Sequence, residues 1–164
     1  MILASVLENQ KFEKRISVTP EVAKKYLGLG FEVFLSKNYG KHLGIDDKEY
    51  LDLGVKINDD ENEIIKKADV IVQLGLLSDH INSTLKEKQI YIGSLNPQVN
   101  KDKLDNLVKK KVTLFSLDLL PRITRAQSMD ILSSQANLAG YKAVIESFAN
   151  FEKAIPMMMT AAGT

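Results

Sequence analysis

Short apolar runs alternate with amphipathic stretches along almost the whole chain. Unbroken apolar runs bounded by turn residues are typical of strands that are buried on both faces of a parallel sheet. They predict strands at residues 1–7, 31–35, 68–74, 89–93 and 112–117, with a small extra strand at 55–57. Helices are predicted at 20–28, 46–53, 61–67, 78–85 and 97–110, and a last helix is predicted to run to about 153. Strands that alternate with helices predict an α/β fold with an open, mostly parallel sheet, helices on both faces and a long helix at its end.

This doubly wound arrangement is Rossmann-like or flavodoxin-like, and such folds invite a search for a glycine-rich nucleotide loop. The only close glycine pair is Gly28 and Gly30, which ends a helix and precedes a strand. That context is the reverse of the one in which a Gly-x-Gly-x-x-Gly fingerprint works, and no Gly-x-x-x-x-Gly-Lys is present either. The chain therefore carries no dinucleotide fingerprint of its own.

Composition sets limits on the other classes of function. The 164 residues suit one domain or one lobe of a larger protein, and a net charge of +1 gives no reason to expect a nucleic-acid partner. No cysteine is present, and the two histidines lie far apart in sequence, so neither disulfides nor a zinc site is predicted. No apolar run approaches the roughly 18 to 20 residues of a membrane span.

The segment at 121–130 concentrates polar chemistry between the last predicted strand and the last helix. Polar groups at the carboxyl end of a strand are where open α/β sheets place ligands. A surface ion pair between Arg122 or Arg125 and Asp130 is the alternative interpretation. The helix start is also open, because Thr124 fits a capping box with Gln127, whereas Asp130 fits a later cap. Only the later start leaves Gln127 and Arg122 available to a ligand.

Three further residues are candidates with a simpler explanation. Arg15 follows the first strand and has the chemistry to clamp a carboxylate or phosphate, but an exposed pair with Glu13 explains it equally well. His42 and His80 are interpreted as ordinary loop and helix-start residues.

The last helix has an unusual surface. Small side chains form a stripe on one face, and large apolar side chains form a second face. The stripe comprises Ala136, Ala139, Gly140 and Ala143, and the second face Leu138, Tyr141, Ile145 and Phe148. A glycine costs a helix roughly 1 kcal/mol relative to alanine, which close packing would offset. The pattern predicts a helix buried on more than one side, either as a central helix or at a subunit contact.

The residues from Asp118 to Ala143 closely resemble the alpha subunit of proton-translocating NAD(P) transhydrogenases, in its soluble NAD(H)-binding component. Arg15 and Thr19–Pro20 match an opening that this family shares with alanine dehydrogenases. The resemblance implies hydride transfer from NADH to NADP⁺, coupled to proton translocation. It also implies partners, namely an NADP(H)-binding component and a membrane component, a homodimer, and a place on the cytoplasmic side of the inner membrane.

By motif, the resemblance assigns NAD(H) binding to Arg122, Gln127 and Asp130, with Ser133 as a further contact. Arg122 and Gln127 would orient the carboxamide and nearby groups, and Asp130 would hold the arginine or the cofactor in place. No catalytic acid or base is expected, because the hydride passes directly between two nicotinamides.

Two alternatives to this function come from other classes. An alanine dehydrogenase would need a lysine after the third main strand and a histidine after the fourth, but the corresponding segments, 72–77 and 94–97, contain neither. A non-enzymatic lobe that has kept the fold is the other alternative, and the intact Arg122, Gln127 and Asp130 set argues against it. The resemblance further divides the chain into an N-terminal lobe at 1–155 and, at 156–164, the start of a connection to a Rossmann domain that is missing here.

Overall fold

The computed structural model describes residues 1–153, which fall into two compact units that divide after Leu120. The first unit holds six strands, β1 (Ile2–Ser5), β2 (Glu32–Ser36), β3 (Lys56–Asn58), β4 (Val70–Val72), β5 (Ile90–Gly93) and β6 (Thr113–Ser116). Its helices are α1 (Pro20–Gly28), α2 (Asp47–Asp52), α3 (Glu61–Lys67), α4 (Asp79–Ser83) and α5 (Lys101–Lys109). The second unit holds a 3-10 helix (Thr124–Met129) and α6 (Ile131–Ala149).

All six strands form one parallel sheet in the order β3-β2-β1-β4-β5-β6. The predicted α/β class is therefore confirmed, and the extra strand predicted at 55–57 is a full member that pairs with β2. The strand order reverses direction between β1 and β4. Ligands of open α/β sheets bind in the crevice outside the carboxyl ends of the strands at such a point.

Two hydrophobic cores lie on opposite faces of the sheet. One contains Ile64 and Ile65 of α3, Leu104 and Leu107 of α5, and Tyr91 of β5. The other packs α1 and α2 against β1 and β2, and includes Ala23, Tyr39 and Tyr50. Helices on both faces explain why the strands are apolar throughout, with no polar alternation to mark an outer face.

The first strand is shorter than the apolar run at 1–7 predicted. It ends at Ser5 because the next residue, Val6, bonds to a side chain and not to a neighbouring strand. The Gln73 amide donates to the Val6 carbonyl oxygen at 2.6 Å and accepts from the Val6 N–H at 3.2 Å. A buried glutamine thus closes the strand and leads the chain into the loop that follows it.

The prediction that the last helix is buried on more than one side is wrong for this chain. No residue of α6 is buried, and Tyr141 and Phe148 are 69% and 54% exposed. An added Cβ at Gly140 would meet no atom within 4 Å, so no close contact offsets this glycine in the chain. Residues 121–153 supply only this helix and one 3-10 turn, and these cannot enclose a helix that is apolar all round. Within residues 1–153, no helix has both the length and the apolar character needed to cross a membrane.

Candidate functional site

The segment from Pro121 to Ser133 folds as an extended entry, a 3-10 helix and the first turn of α6. Asp130 is the N-cap of α6, and its carboxylate accepts from the Ser133 N–H at 3.0 Å. The later of the two predicted helix starts is therefore the observed one, and Thr124 caps nothing. As a result, Gln127 is not committed to a capping box.

This local structure gathers the predicted site residues around one cavity of about 320 Å³. Six residues line it: Arg122, Ile123, Thr124, Gln127, Asp130 and Ser133. All four residues predicted from the sequence are among them. Ile123 and Thr124 were not predicted, although their position next to Arg122 and Gln127 in sequence was available as a signal.

Asp130 is the most strongly constrained group in the cavity. The Ser133 hydroxyl donates to its carboxylate at 2.6 Å, and the Ser133 N–H donates to the other oxygen. These two hydrogen bonds, with a smaller contribution from the positive charge of Arg122, lower the pKa of Asp130. A carboxylate at a helix N-terminus is also stabilised by the helix dipole, so Asp130 is an anion at neutral pH. Within the described part of the chain, neither Arg122 nor Arg125 forms a salt bridge with it.

The chemistry of this cavity is recognition and not bond cleavage. Arg122 offers only donors, in a planar fork, and Gln127 offers both an amide donor and an amide acceptor. Asp130 adds a fixed negative charge. No cysteine or histidine lines the cavity. The set is suited to binding and orienting a planar ligand that carries an amide or an anionic group.

Arg15 has the simpler of its two predicted environments. Its guanidinium donates to the two carboxylate oxygens of Glu13 at 2.8 and 2.6 Å, and its side chain is 55% exposed. The bidentate carboxylate clamp for which this arginine has the chemistry is therefore made with a neighbour two residues away.

Both histidines also have ordinary environments. The His42 ring bonds to the Lys14 carbonyl oxygen at 2.7 Å and to Gln10 at 3.1 Å, and His80 lies 3.4 Å from the Asn62 amide. Residues 1–153 contain no group of three or more acidic or histidine side chains placed to hold a metal ion.

A crevice at the sheet's change of direction was not predicted from the sequence. It has a volume of about 790 Å³ and lies between the loops that follow β1 and β4. Glu8 lies in its wall and accepts from the Leu74 N–H at 2.6 Å. Burial is the largest influence on this group and raises the pKa of Glu8, with repulsion from Glu13 acting in the same direction. Hydrogen bonds from Leu74 and Gly75 and the charge of Arg15 oppose the shift without cancelling it.

The raised pKa of Glu8 predicts how its replacement by glutamine changes stability with pH. Ionisation costs more in the folded chain than in the unfolded one, so the contribution of Glu8 is most favourable below the ordinary pKa of glutamate and declines as the pH rises through the raised value. Glu8→Gln keeps an acceptor for Leu74 but does not titrate. We expect the variant to be more stable than the parent near neutral pH, and the two to converge at about pH 4.

Urea unfolding of both chains at the two pH values measures this difference. Glu21→Gln is the control, because the exposed Glu21 pairs with Lys25, which lowers its pKa and gives the opposite sign. A Glu8→Gln variant that is less stable at neutral pH than at acid pH, relative to the parent, would contradict the prediction.

Known proteins resemble this chain over its full length. Residues 6–139 match the family model of the alanine dehydrogenase/PNT N-terminal domain. An NAD(P) transhydrogenase subunit alpha from Rickettsia prowazekii (strain Madrid E) is 42% identical over all of this chain and 44% of its own length. A solved structure of transhydrogenase from Sinorhizobium meliloti has a TM-score of 0.88 at 38% identity, over 99% of this chain and 48% of that one.

Alanine dehydrogenases are more distant. Alanine dehydrogenase 1 of Staphylococcus aureus (strain Mu50) is 26% identical over 88% of this chain and 38% of its own length. The chain spans less than half the length of each of these three relatives.

Proposed function

This chain belongs to the family of alanine dehydrogenase/PNT N-terminal domains, and on that premise we propose that it is part of the NAD(H)-binding component of a proton-translocating transhydrogenase. One observation carries the proposal: Arg122, Gln127, Asp130 and Ser133 all line the same cavity. The similarity of the whole chain to a transhydrogenase subunit alpha supports it.

The donor set of the cavity fits a nicotinamide. A carboxamide needs donors for its oxygen and acceptors for its N–H groups, and Arg122 and Gln127 together provide both. When bound, NADH supplies a hydride to an NADP⁺ held by a partner component. The residues of this chain orient the ring and fix its carboxamide, and Asp130 and Ser133 hold the helix start that forms one wall. Catalysis in such a site comes from positioning, so no general acid or base is required.

The proposed function brings partners and a location with it. The chain works with an NADP(H)-binding component and a membrane component, on the cytoplasmic side of the inner membrane. Proton translocation takes place in the membrane component. A nucleic-acid partner is not proposed, because the net charge of +1 offers no electrostatic attraction to a polyanion.

The activity of the assembled enzyme tests the proposal. Purified enzyme that contains this chain and its partner components is expected to reduce NADP⁺ at the expense of NADH in an absorbance assay. The matched measurement supplies alanine and NAD⁺ in place of the two nicotinamide substrates. Alanine-dependent reduction of NAD⁺ without any transhydrogenation would overturn the proposal in favour of an amino-acid dehydrogenase.

The first unit supports transhydrogenation over pyruvate amination. The position after β4 holds Gln73, whose amide is taken up by Val6 and by the Ser5 hydroxyl at 2.9 Å. Gly93, at the end of β5, carries no side chain to act on a substrate. A non-enzymatic lobe is disfavoured by the complete set of residues in the cavity.

The 164-residue chain by itself is expected to bind NADH weakly or not at all. It contains no glycine-rich dinucleotide fingerprint, so the groups that normally hold the pyrophosphate are not in this sequence. We propose that the lobe at 1–155 forms one wall of the NAD(H) cleft and that 156–164, which lie outside the described residues, lead into the other. Isothermal titration with NADH measures the affinity, and micromolar binding by the chain alone would refute this expectation.

We also propose that the component is a homodimer. The large apolar residues of α6 are exposed in the chain, and an apolar surface of this kind marks an interaction site more often than a solvated face. Sedimentation of the assembled component over a range of concentrations tests this, and a strict monomer at the highest concentration would count against it.

A further inference from the structure

Thr124 lines the cavity, and none of the site assignments so far uses it. It is the first residue of the 3-10 helix that runs to Met129. Side chains three positions apart in a 3-10 helix eclipse one another, so Thr124 and Gln127 project from the same side. Ser128, four positions along, projects from a different side and does not line the cavity.

The hydroxyl of Thr124 has no structural role in this segment. The neighbouring hydroxyls are engaged, since Ser133 donates to Asp130 and Ser134 donates to the Ile131 carbonyl oxygen at 3.1 Å. No hydrogen bond to the Thr124 hydroxyl is found from any residue in 1–153, and no helix is capped by it. Its hydrogen-bonding capacity is therefore available to a ligand in the cavity.

The other groups in the cavity determine what that capacity is for. Arg122 can only donate, so it pairs with a ligand oxygen. Each carboxylate oxygen of Asp130 already accepts a hydrogen bond from Ser133. The two N–H groups of a carboxamide therefore need acceptors beyond Asp130, and Gln127 provides one.

We propose that Thr124 is a further cofactor-binding residue, whose hydroxyl oxygen accepts a hydrogen bond from the carboxamide N–H of the nicotinamide. The inference rests on the proposed function and adds to it a residue that selects the amide. It makes Thr124 and Gln127 a paired set of acceptors opposite the donors of Arg122. A nicotinamide analogue that lacks the amide N–H gains nothing from Thr124.

The test compares the affinities of two ligands in the assembled enzyme, measured by equilibrium titration. The ligands are NADH and its reduced 3-acetylpyridine analogue, in which a methyl group replaces the carboxamide nitrogen. Thr124→Val keeps the shape of the side chain and removes the hydroxyl. We expect it to weaken NADH binding about fivefold to tenfold, the usual effect of one hydrogen bond, and to leave binding of the analogue nearly unchanged.

Two further variants complete the design. Thr124→Ser restores the hydroxyl and is expected to restore NADH affinity. Ser128→Ala removes a hydroxyl from the same 3-10 helix outside the cavity and is expected to change neither affinity. Equal weakening of both ligands by Thr124→Val, or no more effect than Ser128→Ala, would overturn the inference. Failure of the proposed function gives a different result, because Arg122→Ala would then leave NADH binding unchanged as well.

Discussion

Replacing Arg122 with alanine is expected to lower the rate of hydride transfer from NADH by about tenfold or more in the assembled enzyme. The guanidinium is the strongest donor in the cavity, and it has no salt-bridge partner there among the described residues. A hydrogen bond from a charged group to a ligand is worth about 1.5 to 3 kcal/mol. A nicotinamide that loses this bond turns within the cleft, and transfer between two nicotinamides depends on their relative orientation.

Arg125 provides the matched control for this experiment. It is an exposed arginine of the same 3-10 helix and does not line the cavity. Arg125→Ala is expected to keep the parental rate, and Gln127→Ala is expected to fall with Arg122→Ala. Stopped-flow measurement of a single turnover separates the transfer step from product release. The site assignment fails if Arg122→Ala and Gln127→Ala both transfer hydride at the full rate.

Replacing Gly93 with alanine is expected to destabilise the chain by about 3 kcal/mol, at the upper end of the range for overpacked cores. A Cβ at Gly93 would lie 2.5 Å from the backbone oxygen of Gln73 and 3.3 Å from the Leu95 side chain. The nearest atom belongs to the backbone of the adjacent strand's end, so the contact cannot be relieved by rotating a side chain. The Gln73 N–H bonds to the Ile92 carbonyl oxygen at 3.0 Å, which holds the two segments at this spacing.

The measurement is the midpoint of urea unfolding, and Gly75 provides the control. Gly75 lies in the loop after β4, and a Cβ added there would meet no atom within 4 Å. Gly75→Ala is expected to unfold within about 0.5 kcal/mol of the parent, as surface substitutions usually do. A Gly93→Ala chain that is as stable as Gly75→Ala would mean that the sheet relaxes freely at this point, contrary to the prediction.

The candidate site was accessible from the sequence because it is local. Its six lining residues fall between Arg122 and Ser133, so the cavity is made by one turn, one 3-10 helix and one helix start. Residue types at short spacing specify such a structure, and the resemblance to a known family supplied their roles. The choice between two helix caps was not accessible, because Thr124 and Asp130 both satisfy the local rules.

The crevice between β1 and β4 was not accessible from the sequence, because its wall is built from distant parts of the chain. Glu8 meets the backbone of Leu74, and Gln73 meets Ser5 and Val6. Each pair is separated by more than sixty positions in sequence. A single polar residue after an apolar run gives no indication of which remote backbone it will bond to.

The sequence by itself determined the order of strands and helices, the α/β class, the N-cap of α1 at Thr19 and the contiguous set of residues that forms the cavity. These properties depend on periodicity, capping and neighbours in sequence, which are written locally. Only the tertiary structure decided where β1 ends, which glycine has no room for a side chain, and whether α6 is covered. Each of these depends on which surface packs against which, and the hydrophobic pattern states that a face is apolar without stating what covers it.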